Sequence, residues 1–585
     1  MCGLAAILAG SRAASPVDGD ELLRIRDAMI ARGPDGAGSW LSPDGRVGLG
    51  HRRLAIIDLS PAGAQPMAFA DGRHRIVFNG EIYNYRALRA ELEAQGVRFA
   101  SHTDTEVILA LYQRHGRAML DRLRGMFAFA LWDEQAQGLL LARDHFGIKP
   151  LYVADDGATL RAASQVKALL AGGKADTRPD PAGHAGFFLW GHVPEPHTLY
   201  RGIRPLPAGS WLWAGVDGTR QEGRFFDLTA ELAGARETPA PDLRHSLLDS
   251  VRHHLEADVP VGVFLSSGLD STTLAALVRE VAPRPPRTVT LGFAEFAGTP
   301  KDEVPLAEAV AAHYGTDHAT VRITAEDFVA AREQILADMD QPSVDGVNTW
   351  FVARAARSRG LKVVLSGLGG DELFAGYDNF IAIPKLVRTF RPFAPLPGLG
   401  RVLRRASAPW IGRLTSPKAA GLAEYGGDWG GAYMLRRALF MPWQLGKVLG
   451  PDLAREGLRE LAPRLMLDDA VEGIGPERLK VSALETAFYM RNQLLRDSDW
   501  AGMAHALEIR TPLVDVGLFR AVLPLIAGSS PPGKRDMAEA AHPALPHAVL
   551  NRPKTGFFVP VTEWMGERSL KGWACAVHGA AGKAA

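Results

Sequence analysis

The sequence predicts two folded units in series, a mixed α+β unit followed by an α/β unit with a parallel sheet and a helical C-terminal part. Three observations carry this prediction. The chain has 585 residues, more than one hydrophobic core normally serves. From the start to about Leu206, short apolar runs such as Arg75 to Asn79 and Gly125 to Asp133 are broken by Asp-Gly and Asn-Gly turns, the pattern of strands. After Pro241 the texture changes to long helices around a few short, fully apolar strands.

Within the first unit, Leu88 and Leu92, and Val107, Ile108, Leu111 and Tyr112, recur at helical spacing, so helices are expected over Tyr85 to Gln95 and Thr105 to His115. Proline-rich sequence from Trp190 to Pro207, then small, polar and charged residues from Thr229 to Pro241, mark the boundary. We take 1–208 as the first unit, 209–240 as a linker and 241–585 as the second unit. In the second unit the runs Val259 to Leu265, Thr288 to Phe293 and Val363 to Leu365 each end at a glycine- or serine-rich turn. Strand, turn and helix in that order place ligands at the carboxyl ends of a parallel sheet.

Composition excludes several classes. Lys and Arg number 66 against 65 Asp and Glu, so there is no electrostatic footprint for nucleic acid. Cys2 and Cys575 are the only cysteines, which rules out a disulfide framework and suits a reducing compartment. No basic lead precedes the short N-terminal apolar run, and no apolar stretch reaches the roughly 18 residues of a membrane span. A cytoplasmic protein that is not integral to a membrane, acting on small molecules, is expected. The Arg-rich stretch from Lys385 to Arg413, with Phe390, Phe393 and Trp410 interleaved, reads either as a solvated helix face or as a dock for a membrane-bound partner.

Cys2 becomes the terminal residue once the initiator methionine is removed, and a free α-amine with a pKa near 7.7 to 8.0 then serves its thiol as base. The alternative is a small apolar residue at the start of a strand. Phe78-Asn79-Gly80-Glu81 ends a strand with donors suited to an oxyanion, an Asn amide and a glycine N–H, or else forms a hairpin turn. Asp104 stands where the N-cap of the following helix is expected.

Taken together, Cys2, Gly50 to Asp58, the Asn79-Gly80-Glu81 segment, Ser101 to Glu106, Arg32 to Asp35 and Arg143 to Tyr152 closely resemble the class II glutamine amidotransferase domain. That family has an N-terminal-nucleophile hydrolase fold. The resemblance implies Cys2 as nucleophile, Asn79 and Gly80 as oxyanion donors, and Arg53, Asn79, Glu81 and Asp104 as glutamine ligands. Such charges suit the substrate: an Arg fork holds its carboxylate and acidic groups accept its ammonium.

In the second unit, Leu265-Ser266-Ser267-Gly268-Leu269-Asp270-Ser271 joins an apolar strand to a helix, a junction that aims backbone N–H groups and hydroxyls at an anion. No Walker Gly-Lys-Ser/Thr is present. The segment resembles instead the pyrophosphate loop of ATP pyrophosphatases, with Ser267 where glycine is usual; a positive φ there would strain a serine. Ser366-Gly367-Leu368-Gly369-Gly370-Asp371, Leu507 to Asp515 and Asn551 to Phe557 extend the likeness to the glutamine-hydrolysing asparagine synthetases, from Cys2 to about Trp564.

This likeness implies ATP and Mg²⁺ as cofactors, with Leu265, Leu291, Ser366 and Gly367 at the nucleotide and Asp270 and Asp371 on the metal. Either Asp serves otherwise as a helix cap. Lys554 is the cation implied for the transition state. The expected reaction takes glutamine, ATP and aspartate to glutamate, AMP, diphosphate and asparagine through an acyl-adenylate, and a homodimer is compatible with it. Leu368 departs from the pattern, because asparagine synthetases commonly have an acidic residue there and leucine has no acid–base chemistry. A different acceptor carboxylate, for example a sugar uronate in surface-polysaccharide assembly, is therefore the alternative. A non-catalytic scaffold is disfavoured by Cys2, Asn79, Asp104, Asp270, Asp371 and Lys554 occurring together.

Overall fold

The computed structural model of the protein describes residues 2–11, 14–238, 242–395, 397–414, 416–553, 560–564 and 570–581. Its N-terminal unit stacks two six-stranded antiparallel sheets between outer layers of helix. The strand Gly3–Ala9 is buried at every residue, and the period of two sorts its side chains. Leu4, Ala6 and Leu8 face the second sheet at Val77, Ala128 and Ala130. Ala5 and Ile7 face the other way, onto Leu22 and Ile25 of the helix Gly19–Asp27. On the far side, Phe78 and Phe129 pack under Val107, Ile108 and Leu111 of the helix Asp104–His115.

Asn79 and Gly80 lie within the strand His74–Ile82, opposite Ala128 and Phe127, so the Asn-Gly pair is not a hairpin turn. Gly80 is required by close approach: a Cβ would lie 2.1 Å from the Met126 carbonyl oxygen. Residues 210–224, placed in a linker by the sequence reading, instead form two strands. Ser210–Gly215 pairs with Gly138–Arg143 and with Arg220–Arg224, extending the second sheet. Prolines before Gly209 and the polar composition of Arg220–Arg224 hide this hairpin from pattern reading, because an edge strand needs no apolar face on its outer side.

The second unit is built on five parallel strands in the spatial order Asp317–Ile323, Arg287–Phe293, Val261–Phe264, Val363–Leu365, Glu508–Arg510. Connections leave the central strand Val261–Phe264 in opposite directions along the sheet. That switch point opens a crevice at the strands' carboxyl ends, where the loops 265–271 and 366–371 emerge. Helices dominate beyond Asn379. The two units share apolar packing: Phe146 and Phe226 meet Phe519 edge-on, with ring centroids 5.6 and 6.1 Å apart.

Candidate active site

Cys2 precedes the first strand, and the sheet places it against the second sheet's polar segment. Its backbone nitrogen donates to Asn79 Oδ1 at 2.9 Å, and its sulfur lies 4.0 Å from the Leu54 carbonyl oxygen. Burial pushes the thiol above its ordinary pKa, so a local base is needed to generate the thiolate. Asn79 is fully buried, with its amide nitrogen 3.5 Å from Ser164 Oγ. Arg53, at the end of the strand Val47–Arg53, turns its guanidinium into the loop that follows. It donates to the carbonyls of Ser60, at 2.9 Å, and Asp58.

Asp104 is not the helix cap. Thr103 caps the helix by accepting from Glu106 N, and the Asp104 carboxylate turns back to accept from Ile82 N at 2.9 Å. Burial raises it to about 6. Glu81 is raised well above its ordinary value, first by burial and then by its neighbour Glu508. Its Oε2 is buried with no hydrogen-bond partner among the described residues. The site thus offers two strained carboxyls, a condition that an arriving ammonium relieves.

One strand borders both catalytic regions. Glu508 and Arg510 point from Glu508–Arg510 toward the first unit, where Arg510 lies 2.6 Å from Glu508, 3.4 Å from Glu81 and over the Tyr83 ring. Ile509, between them, lines the cavity of the second unit. The helix Arg496–Met503 repeats the arrangement. Asp499 accepts from Arg32 at 2.6 and 3.1 Å, with Lys149 3.8 Å away, while Asp497 and Ser498 line the cavity. Arg32 also donates to the Cys2 carbonyl at 3.0 Å. Pattern reading quoted Arg510 in a motif and gave it no role.

That cavity, of about 480 Å³, is lined by all nine expected nucleotide residues, Leu265, Ser266, Ser267, Gly268, Asp270, Ser271, Leu291, Ser366 and Gly367, together with Leu368 and Asp371. Hydroxyls shape the loop, with Ser266 and Ser271 Oγ atoms 2.8 Å apart and Ser266 Oγ accepting from Gly268 N. Ser267 is not among the residues with positive φ, so serine is unstrained where the pattern has glycine. Gly367 is fixed by contact, since a Cβ there would come within 2.8 Å of Asp270 Cβ. Gly268 and Gly369, and not Asp270 or Asp371, stand at the N-cap positions of the two helices that follow.

Both of those carboxylates converge on Lys534, which the sequence reading missed. Its ammonium pairs with Asp270 and lies 3.1 Å from Asp371 Oδ1. Two carboxylates sharing one cation position form the oxygen donor set that a divalent ion bound to phosphates uses, so the residues fit Mg²⁺. Leu368, Asp345 and Asp497 also line the cavity. Asp497 is raised to about 8 by burial and by Asp345, and it accepts from Ser343 and Trp500. Lys554 lies outside the described residues.

Residues 1–226 match the family model for a glutamine amidotransferase domain and residues 242–579 match that for asparagine synthase. A Mycobacterium tuberculosis protein provisionally named glutamine-hydrolyzing asparagine synthetase is 36% identical over 99% of this chain and 90% of its own. The glutamine-hydrolyzing asparagine synthetase 1 of Bacillus subtilis is 32% identical over 97% and 88%. The amidase chry2 of Gibberella zeae is 34% identical over 65% of this chain and 60% of its own.

Proposed function

The chain belongs to the asparagine synthase family, whose members here pair a glutamine amidotransferase domain with an ATP-using synthase domain, and we propose that its acceptor is aspartate. The observation that carries the two-reaction scheme is the shared wall: Glu508 and Arg510 face the Cys2 site while Ile509 faces the cavity. The full-length likeness to proteins named asparagine synthetase supports aspartate.

In this scheme the Cys2 thiolate attacks the glutamine amide carbon, and Asn79 and Gly80 donate to the oxygen that becomes negative. Ammonia leaves, and water releases glutamate from the thioester. Arg53 holds the glutamine carboxylate, and Asp104 and Glu81 accept its ammonium, their pKa values falling as the charge arrives. In the cavity an acceptor carboxylate oxygen attacks the α-phosphorus of ATP and diphosphate departs. Ammonia then attacks the acyl carbon of the adenylate and AMP leaves. Bound Mg²⁺, held by Asp270 and Asp371, would neutralise phosphate charge. Lys534 supplies a fixed cation beside the same oxygens. Lys554 is assigned the transition-state charge, from its motif alone.

A specific observation favours a second reading. The cavity is also lined by Leu368, Asp345 and Asp497, whereas its described cations are Lys534, held by Asp270 and Asp371, and Arg552, 3.7 Å from Glu303. A second carboxylate on the acceptor, as in aspartate, wants a cation; the hydroxyls of a sugar uronate are donors that Asp345 can accept. The test supplies glutamine, ATP and Mg²⁺ with either acceptor and measures AMP and the amide. Aspartate-dependent asparagine formation without uronamide establishes the first reading, and its absence refutes it. Leu368→Glu separates the two further. Aspartate turnover is expected to hold or rise, whereas a bulkier acceptor loses an apolar contact of about 1.5–3 kcal/mol, a fall of roughly 10- to 150-fold.

A further inference from the structure

Charge is nearly balanced over the whole chain, but not over one surface of the second unit. Between Asn379 and Ala423 the sequence contains eight lysines and arginines and no aspartate or glutamate. The helix Pro397–Leu414 runs through this stretch. Leu399, Val402, Leu403, Ala406 and Trp410 fall on one stripe of it, at the i, i+3, i+4, i+7, i+11 spacing that ordinarily marks the face toward a core.

Here that stripe faces solvent. Val402 is 63% exposed and Trp410 70%. The opposite, inward face is the polar one. Arg404 donates to Glu424 at 2.5 Å and lies over the Trp443 ring, and Gly400 sits where a Cβ would come within 2.7 Å of Glu424 Cα. These contacts prevent the helix from rotating its apolar stripe inward. Arg405, exposed, flanks the stripe along one edge, whereas Arg401, also exposed, turns its Nε toward Glu424 Oε1 at 3.7 Å.

An outward apolar stripe with a cationic edge matches one kind of surface. A second copy of this chain would set this arginine-rich face against itself, with like charges opposed. No described helix is long and apolar enough to cross a membrane. A helix with Trp, Leu and Val on one face and arginines beside them lies in the plane of a bilayer surface, its apolar side in the headgroup boundary and its cations on anionic headgroups.

We propose that the helix Pro397–Leu414 docks this protein on an anionic lipid surface, with Leu399, Val402 and Trp410 inserted and Arg405 on the headgroup phosphates. The proposal is independent of the acceptor's identity, because these residues lie outside both catalytic regions.

The test is co-sedimentation of the full-length protein with vesicles of phosphatidylcholine alone or mixed with phosphatidylglycerol. Binding is expected only to the mixed vesicles and weakens as salt rises. Val402→Glu combined with Trp410→Glu should abolish it. Arg405→Gln should weaken it by about fivefold. Glutaminase activity should be unchanged in all variants, which confirms that they fold. The proposal is overturned if the protein ignores phosphatidylglycerol vesicles or if the double glutamate variant binds as the parent does. It is also overturned if the parent is a dimer that this variant dissociates, an outcome that gives the face to a second copy.

Discussion

Around Cys2 the polar groups already hold one another, whereas around the pyrophosphate loop they line an open cavity. Asn79 accepts from the Cys2 nitrogen, Asp104 from Ile82 N, and Arg53 is seated on loop carbonyls. All three stand on or beside strands of a rigid sandwich. The nucleotide residues stand on loops leaving a parallel sheet, and their volume of about 480 Å³ is bounded by carboxylates held by one lysine. In the proposed scheme the difference follows ligand size and timing: a small amide would be processed in a pre-set constellation, while ATP and an acceptor would enter together and be brought into line. Between them one strand serves both, so the contrast can be tested from either side.

Cys2→Ala makes the largest break. Glutamine-dependent amide formation should fall by roughly 10⁴-fold or more, the scale of losing a nucleophile, while added ammonia still supports synthesis. Retained glutaminase activity would show that the first region is wrongly assigned.

Arg510→Met attacks the shared wall. The parent arginine is fully buried beside Glu508 and Glu81 and donates to the carbonyls of His254 and Glu256. Removing it leaves buried carboxylates uncompensated, which costs about 3–5 kcal/mol. A denaturation midpoint lowered to match, with both activities impaired, is the expected result; an unaltered midpoint would deny that the wall is structural.

Lys534→Met should confine its effect to one side. AMP formation drops by about 100- to 1,000-fold, the scale of losing one fixed donor at developing charge, while glutaminase turnover persists. Equal loss of both activities would erase the contrast.

The smallest effect sharpens the first region through pH. Burial places the Asp104 pKa at about 6, so below that value its ionised fraction falls about tenfold per pH unit and KM for glutamine should rise in step. The native state binds the proton more tightly than the unfolded chain, so Asp104's contribution to stability is full below about pH 4 and is lost as pH rises through about 6. Asp104→Asn should flatten the KM profile; an unchanged profile would remove Asp104 from the ammonium site.

The sequence by itself determined the two units, the nucleophile candidate at Cys2 and the loop Ser266 to Ser271. These are local patterns in which spacing and residue type specify backbone conformation. Short strands such as Val363–Leu365 were legible because a fully buried parallel strand is a continuous apolar run. Only the tertiary structure decided that Thr103 rather than Asp104 caps its helix, and that Asn79-Gly80 is strand rather than turn. Only the fold showed that residues 210–224 are sheet and that Lys534 stands between Asp270 and Asp371, 264 residues from the former. Except for the local Thr103 cap, where Glu106 N donates three residues back, the deciding contact joins residues far apart in the chain. Electrostatics and packing act through space, so no local window contains that information.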